Sequence, residues 1–318
     1  MIDPACLLSF VTVVDSGSFG AAAERLGLSQ SGVSVQISRL ESALGTRLLA
    51  RSRRASLPTE AGSRLLPYAR ELLALEARAR AAVGARSLAI GASGNIAAYL
   101  LPDLVRRFAE LPAAAQIDLE VSTFPNPELI RRLRHRLLDV ALTEWMPADP
   151  DLRSAPWRHE PLVVIMPPDH PLAGEATVTI DRLAREPLVG GEPGSGTATL
   201  LRAVFGEAAG SLQARRSFGS TEGVKRAVMA GLGVSIVMRI AVQAEVAAGD
   251  LVCLELAGAP LIKTLHVVQR GADGDATPAA RFAAFLGESR SESPGFQLRS
   301  PPASRSSPCW AEPASPSR

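Results

Sequence analysis

Lysine and cysteine are both nearly missing from this chain of 318 residues. Of its 34 basic side chains only Lys225 and Lys263 are lysines, a bias that a GC-rich genome explains better than any mechanism. Cys6, Cys253 and Cys309 are scattered without C-x-x-C spacing. So sparse and odd a set argues against a disulfide framework and for a reducing cytoplasm. Histidine is scarce too: His135, His159, His170 and His266 stand singly, with no carboxylate or thiol at ligand spacing, so no metal site is expected. The motifs G-x-x-x-x-G-K-[ST], H-E-x-x-H, G-x-S-x-G and G-x-G-x-x-G are all absent, which leaves neither an enzyme nor a cofactor in view. No uncharged apolar run reaches about 18 residues, the length of a membrane span. No cationic, apolar export leader is legible before or after Asp3, so the expected location is the cytoplasm.

What is present is concentrated between residues 18 and 62. Ala21, Ala22 and Ala23 are small enough to let one short helix pack closely on another, and Leu26-Gly27-Leu28 supplies a tight apolar turn. Ser29 suits the N-cap of a second helix, on which Val33, Ile37 and Leu40 form one inward stripe. The opposite face reads Gln30, Ser31, Ser34, Val35, Ser38 and Arg39. Short hydroxyls, an amide and an arginine suit a helix that lies in a major groove. From Arg25 to Arg64 seven arginines face two acids, Glu41 and Glu60, inside a chain of formal charge +2. That local excess marks where a polyanion sits.

These residues resemble the N-terminal domain of the LysR-type transcriptional regulators. The resemblance runs through Phe10, Val13, Gly17-Ser18-Phe19, Ala22-Ala23, Leu28-Ser29-Gln30, Val33-Ser34, Gln36-Ile37 and Leu40-Glu41. It continues at Leu44-Gly45, Leu48 and Arg51 and closes with Thr59-Glu60-Ala61-Gly62. It implies a winged helix-turn-helix over residues 1–59 that binds double-stranded DNA at a pseudo-palindromic promoter site. Ser29, Gln30, Ser31, Ser34, Val35 and Arg39 would face the groove, with Arg51, Arg53, Arg54 and Thr59 around the wing. Two positions depart from the family: Ser31 replaces a usual proline, and Val35 replaces a frequent arginine. Val35 cannot donate a hydrogen bond but can pack on a thymine methyl.

Residues 60–83 read as one long helix. Leu65, Tyr68 or Ala69, Leu72, Leu75 or Glu76, Ala79 and Ala82 or Val83 recur at three or four, a seam that either packs on its own domain or pairs two helices. The resemblance favours the second, a linker helix of a homodimer or homotetramer with a hinge at residues 84–86. Residues 87–288 alternate predicted strands and helices, which implies α/β architecture. Strands are expected at Ser87–Ala92, Gln116–Ser122, Leu138–Leu142, Leu162–Met166 and Lys263–Gln269, and helices at Ile96–Leu111, Glu128–Arg136 and Ala279–Leu286. The same layout resembles the LysR effector-binding domain, itself two-lobed and periplasmic-binding-protein-like. Lobe I would be 87–161 plus 266–288, and lobe II 162–265.

In such a fold a small effector binds between lobes, where strand ends meet helix starts. Three segments offer N–H groups and hydroxyls: Ser93, Gly94 and Asn95; Gly194, Ser195, Gly196 and Thr197; and Ser220 with Thr221. Glycine allows close approach, and helix starts favour an anion, although each segment can equally be an ordinary cap. Glu144 and Trp145 follow the third strand, where Trp145 either walls the effector or covers a lobe surface. The second and third segments resemble the LysR branch that controls carbon fixation and sulfur assimilation. That branch commonly has arginine where this chain has Ala198, so an obvious cation is missing.

From Ser289 to Arg318 the chain turns to Ser, Pro and Arg, and a disordered tail is expected. RNA polymerase is a further candidate partner. The competing reading is a solute-binding protein of the periplasmic type without DNA function, against which the arginine-rich wing counts.

Overall fold

Three helices and a two-stranded wing form the head of the computed structural model, which describes residues 2–51, 56–83, 87–190, 196–212, 214, 216–258, 261–271 and 277–288. Helix α1 (Pro4–Ser16) starts at Asp3, whose side chain accepts from Ala5 N at 2.9 Å. Helix α2 (Phe19–Leu26) is capped by Ser18, and α3 (Gln30–Leu44) by Ser29, which accepts from Gly32 N at 3.0 Å. Gly27 and Gly45 end these two helices in the left-handed region, at φ 63° and 67°, where a side chain would be strained. Strands β1 (Leu49–Arg51) and β2 (Ser56–Pro58) pair antiparallel, Leu49 opposite Pro58. Residues 52–55, with Arg53 and Arg54, fall outside the described residues.

Phe10, Val13, Ala22, Val33, Ile37, Leu40 and Leu48 close the head's core, and Ala69 joins it from α4 (Glu60–Val83). The first turn of α4 rests directly on the wing. A Cβ at Gly62 would meet Leu48 O at 2.1 Å, so only glycine fits there. Leu65, Leu66 and Leu73 pack on the head core, whereas Tyr68, Leu72, Leu75 and Val83 remain exposed.

The chain forms two compact units. One combines Met1–His159 with Thr264–Gly287, and the other is built on Glu160–Lys263. Beyond the head, the first unit holds β3 (Ser87–Ala92), α5 (Gly94–Tyr99), α6 (Leu101–Ala109), β4 (Asp118–Thr123), α7 (Asn126–Arg134) and β5 (Val140–Thr143). Strand β3 runs parallel to β4 on one side and β5 on the other, with Ile90 opposite Val121 and Val140. Leu129, Leu133, Leu138, Ala141 and Val268 close the core beneath. The helix expected over 96–111 is two helices. Pro102 has no N–H to continue the ladder and disfavours helical backbone before it, and the break falls at Leu100 (φ −121°).

Strand β6 (Leu152–Met166) begins ten residues before its expected start and carries the chain from the first unit into the second. The second unit then adds β7 (Thr177–Val178), α8 (Ile180–Leu183), β8 (Val189–Gly190), α9 (Gly196–Phe205), β9 (Arg216–Ser217), α10 (Thr221–Met229), β10 (Ser235–Met238), α11 (Gln243–Ala248) and β11 (Val252–Leu256). Strands β10 and β11 both pair antiparallel with β6. Strand β12 (Ile262–Arg270) returns the chain to the first unit, where it pairs antiparallel with β5, and α12 (Pro278–Glu288) packs Phe282 edge-on to Phe108. Residues 84–86 and 289–318, the expected hinge and tail, lie outside the described residues.

Candidate DNA-binding face and effector-binding segments

Helix α3 turns Val33, Ile37 and Leu40 into the core and leaves the opposite side to solvent. Ser34, Val35, Ser38, Arg39 and Ser42 line a shallow concavity there, and Gln30 and Ser31 are exposed at its N-terminal end. Val35 is 50% exposed on this face. Ser31 Oγ lies 3.0 Å from the capping Ser29 Oγ, so the serine in place of proline extends the cap. Arg51 occupies the end of β1, opposite Ser56. Thr59 donates to Arg47 O at 2.8 Å and accepts from Gly62 N at 3.1 Å. The hydroxyl thus caps the first turn of α4 and ties it to the residue before the wing.

The sequence placed Glu41 and Gln36 in the family pattern without assigning them a role. Glu41 Oε1 accepts from Leu48 N at 2.8 Å and Leu49 N at 3.3 Å, anchoring the wing to α3. Gln36 Oε1 accepts from Ser9 Oγ, tying α3 to α1. Both ties fix the angle at which α3 is presented.

In the first unit Ser93, Gly94 and Asn95 follow β3. Ser93 is buried and makes no side-chain cap; it donates instead to Glu144 Oε1 at 2.9 Å, and Asn95 Nδ2 donates to the same oxygen at 3.1 Å. Both side-chain donors of this segment thus meet a carboxylate of the chain's own. Asn126 Oδ1 accepts from Glu144 N at 3.3 Å. Trp145 is half-buried against the core of Leu129, Leu133 and Leu138.

In the second unit both scarce lysines are buried, Lys225 at 4% and Lys263 at 3% exposure. Lys225 Nζ meets Glu222 at 2.6 Å, Glu245 at 2.8 Å and Ala241 O at 2.9 Å, an ion cluster that knits α10 to α11. Lys263 Nζ donates to Thr197 Oγ1 at 3.0 Å, in the first turn of α9. Gly196 opens α9, and Gly194 and Ser195 lie outside the described residues. Ser220 accepts from Gly223 N at 3.1 Å as the N-cap of α10, whose first residue is Thr221. The cation missing at Ala198 is thus brought to α9 from β12. No sequence signal links positions 66 residues apart, so Lys263 was not legible.

The family described as LysR substrate binding domain matches residues 81–291, and that described as bacterial regulatory helix-turn-helix protein, lysR family, matches residues 6–63. The chain belongs to the LysR-type transcriptional regulators. Among this regulator's relatives, the RuBisCO operon transcriptional regulator of Allochromatium vinosum is 30% identical over 285 residues, 87% of this chain and 93% of its own. The LysR family regulator CbnR, solved at full length with its target DNA, superposes with a TM-score of 0.73 at 24% identity, over 90% of this chain and 99% of that one. The regulatory domain of CcmR from Synechocystis PCC6803, solved with 2-PG, superposes with a TM-score of 0.58 at 23% identity, over 65% of this chain and 98% of that one.

Family membership makes the chain a sequence-specific DNA-binding regulator with an effector-binding domain. It also disposes of the solute-binding reading. Among the described residues no group of three or more His, Cys, Asp or Glu side chains could hold a metal, and no helix is long and apolar enough to cross a membrane.

Proposed function

We propose that this LysR-type regulator is governed by a small anion held at the start of α9, and that it acts in the cytoplasm, without catalysis of its own, as a homodimer or larger homo-oligomer on promoter DNA. The observation that carries the anion is the buried Lys263 ammonium on Thr197 Oγ1. Helix starts carry partial positive charge, and Lys263 brings its ammonium beside this one, which supports an oxyanion there. Gly194, Ser195, Gly196, Ser220 and Thr221 complete this reading on the second unit. In the first unit Glu144, with Ser93, Gly94, Asn95 and Trp145 around it, favours a donor such as a hydroxyl.

On the DNA side Gln30, Ser31, Ser34, Val35 and Arg39 read the groove, and Arg51, Arg53 and Arg54 take phosphates. The exposed stripe of Tyr68, Leu72, Leu75 and Val83 on α4 supports pairing of two heads on a pseudo-palindrome. RNA polymerase is the partner that a promoter-bound regulator meets.

A thermal-shift screen of phosphorylated and carboxylated small molecules tests the anion. A ligand present at about 100 times its Kd stabilises by about 2.7 kcal/mol, and Lys263→Met is expected to weaken the best anion roughly tenfold or more, the loss of one charge-assisted contact. Equal binding to wild type and variant would refute the role of Lys263.

A further inference from the structure

The second half of α4 is held by charge to the effector-binding domain. Glu71 and Arg78 lie two turns apart on one face of the helix. Glu71 Oε1 accepts from Arg131 Nη1 of α7 at 2.5 Å. Arg78 Nη2 donates to Asp139 Oδ2, in the residue before β5, and Arg78 Nη1 lies 3.4 Å from Ser87 Oγ. Both ties come from α4 and end on the sheet and helix of the first unit.

The two sides of these bridges are unequal. On the domain side each receiver has other partners: Asp139 also accepts from Ala89 N at 2.9 Å and sits 3.5 Å from Arg270, and Arg131 also donates twice to Glu128 at 2.7 Å. Arg270 in turn donates to Leu133 O at 2.9 Å and Leu138 O at 2.5 Å, so it keeps its place unaided by α4. If α4 departs, neither Asp139 nor Arg131 is left as an uncompensated charge, the outcome that makes breaking a buried pair costly. Arg78 is held less completely, since its Nε is buried without a hydrogen-bond partner. Arg78, Asp139 and Arg270 are 16%, 18% and 13% exposed, shielded enough for charge to matter and near enough to water for Arg78 to rehydrate on release.

Position gives this arrangement a use. Asp139 precedes the four buried residues of β5, and Glu144, with Ser93 and Asn95 on its carboxylate, directly follows them. Five residues of extended chain span about 16 Å, and β5 is hydrogen-bonded to β3 on one side and β12 on the other.

We propose that the Glu71–Arg131 and Arg78–Asp139 bridges form a releasable latch between the linker helix and the effector-binding domain, and that β5 couples this latch to events at Glu144. The latch stands independently of the effector; its coupling to Glu144 rests on the effector reading above. Hydrogen–deuterium exchange of the full chain, free of any added ligand, tests the latch. Arg78→Met and Glu71→Gln are each expected to speed exchange of the amides of residues 76–83 by roughly tenfold, while β3 and β5 amides exchange as slowly as in wild type. Should Arg78→Met fold poorly, Glu71→Gln, at the more exposed bridge, gives the same readout. Unchanged exchange in α4, or equal acceleration in β3 and β5, would overturn the latch, the second result marking the bridges as plain core stabilisers. The coupling is tested by Glu144→Gln, which is expected to change α4 exchange in wild type but not in Arg78→Met. An equal effect in both backgrounds would overturn it.

Discussion

Glu128 takes two N–H bonds from Arg131 at 2.7 Å and one from Arg132 at 2.6 Å. The Arg131 bonds do most to hold its carboxyl below the usual range; burial opposes them and Arg132 adds to them. With a folded pKa below the unfolded value of about 4.3, its contribution is complete above that value and is lost as pH falls through the folded pKa. Thermal unfolding of wild type and Glu128→Gln is therefore expected to differ at neutral pH and to converge in acid. A gap that stays constant with pH would contradict the assignment. Side chains that act locally were legible in the sequence: Ser29 caps the helix it precedes. Those that act across the fold were not. Thr59 bonds to Arg47, Glu41 to the wing and Lys263 to Thr197, each through a contact that only the folded chain creates.

Elements announced themselves where one periodicity ran uninterrupted. The Val33, Ile37 and Leu40 stripe gave α3 its buried face, and Ser87–Ala92 is a strand over the residues expected. The misses have physical causes. Pro102 splits an apolar run into α5 and α6, and Pro156 and Pro161 hid the first half of β6, whose ladder tolerates them. Strand β11, over Val252–Leu256, follows a left-handed turn at Gly249 and is short enough to pass for a loop. Helix α4 carries two stripes. Leu65, Ala69 and Leu73 pack on the head, and Tyr68, Leu72 and Leu75 are 66%, 48% and 40% exposed. Leu72→Glu with Leu75→Glu is expected to leave the head folded, to give monomers in analytical ultracentrifugation, and to weaken binding to a two-half-site promoter by roughly a hundredfold. A variant that remains oligomeric would show that α4 is not the pairing surface.

At the scale of the whole molecule, charge is unevenly distributed. The chain carries a formal net charge of only +2, yet between Arg25 and Arg64 seven arginines face two acids. Such a distribution draws a polyanion to one end and leaves the rest of the chain free to answer to a small ligand. In the reading proposed above, phosphate contacts make the first of these tasks dependent on salt, and the hydroxyl-rich face of α3 makes it dependent on sequence. The account as a whole turns on that combination. A gel-shift titration of the full-length protein on its own upstream intergenic DNA, at two salt concentrations and with excess nonspecific competitor, measures both at once. The predicted result is a complex that survives competitor and weakens as salt rises. Binding that competitor abolishes, or no salt-sensitive binding at either concentration, would contradict it.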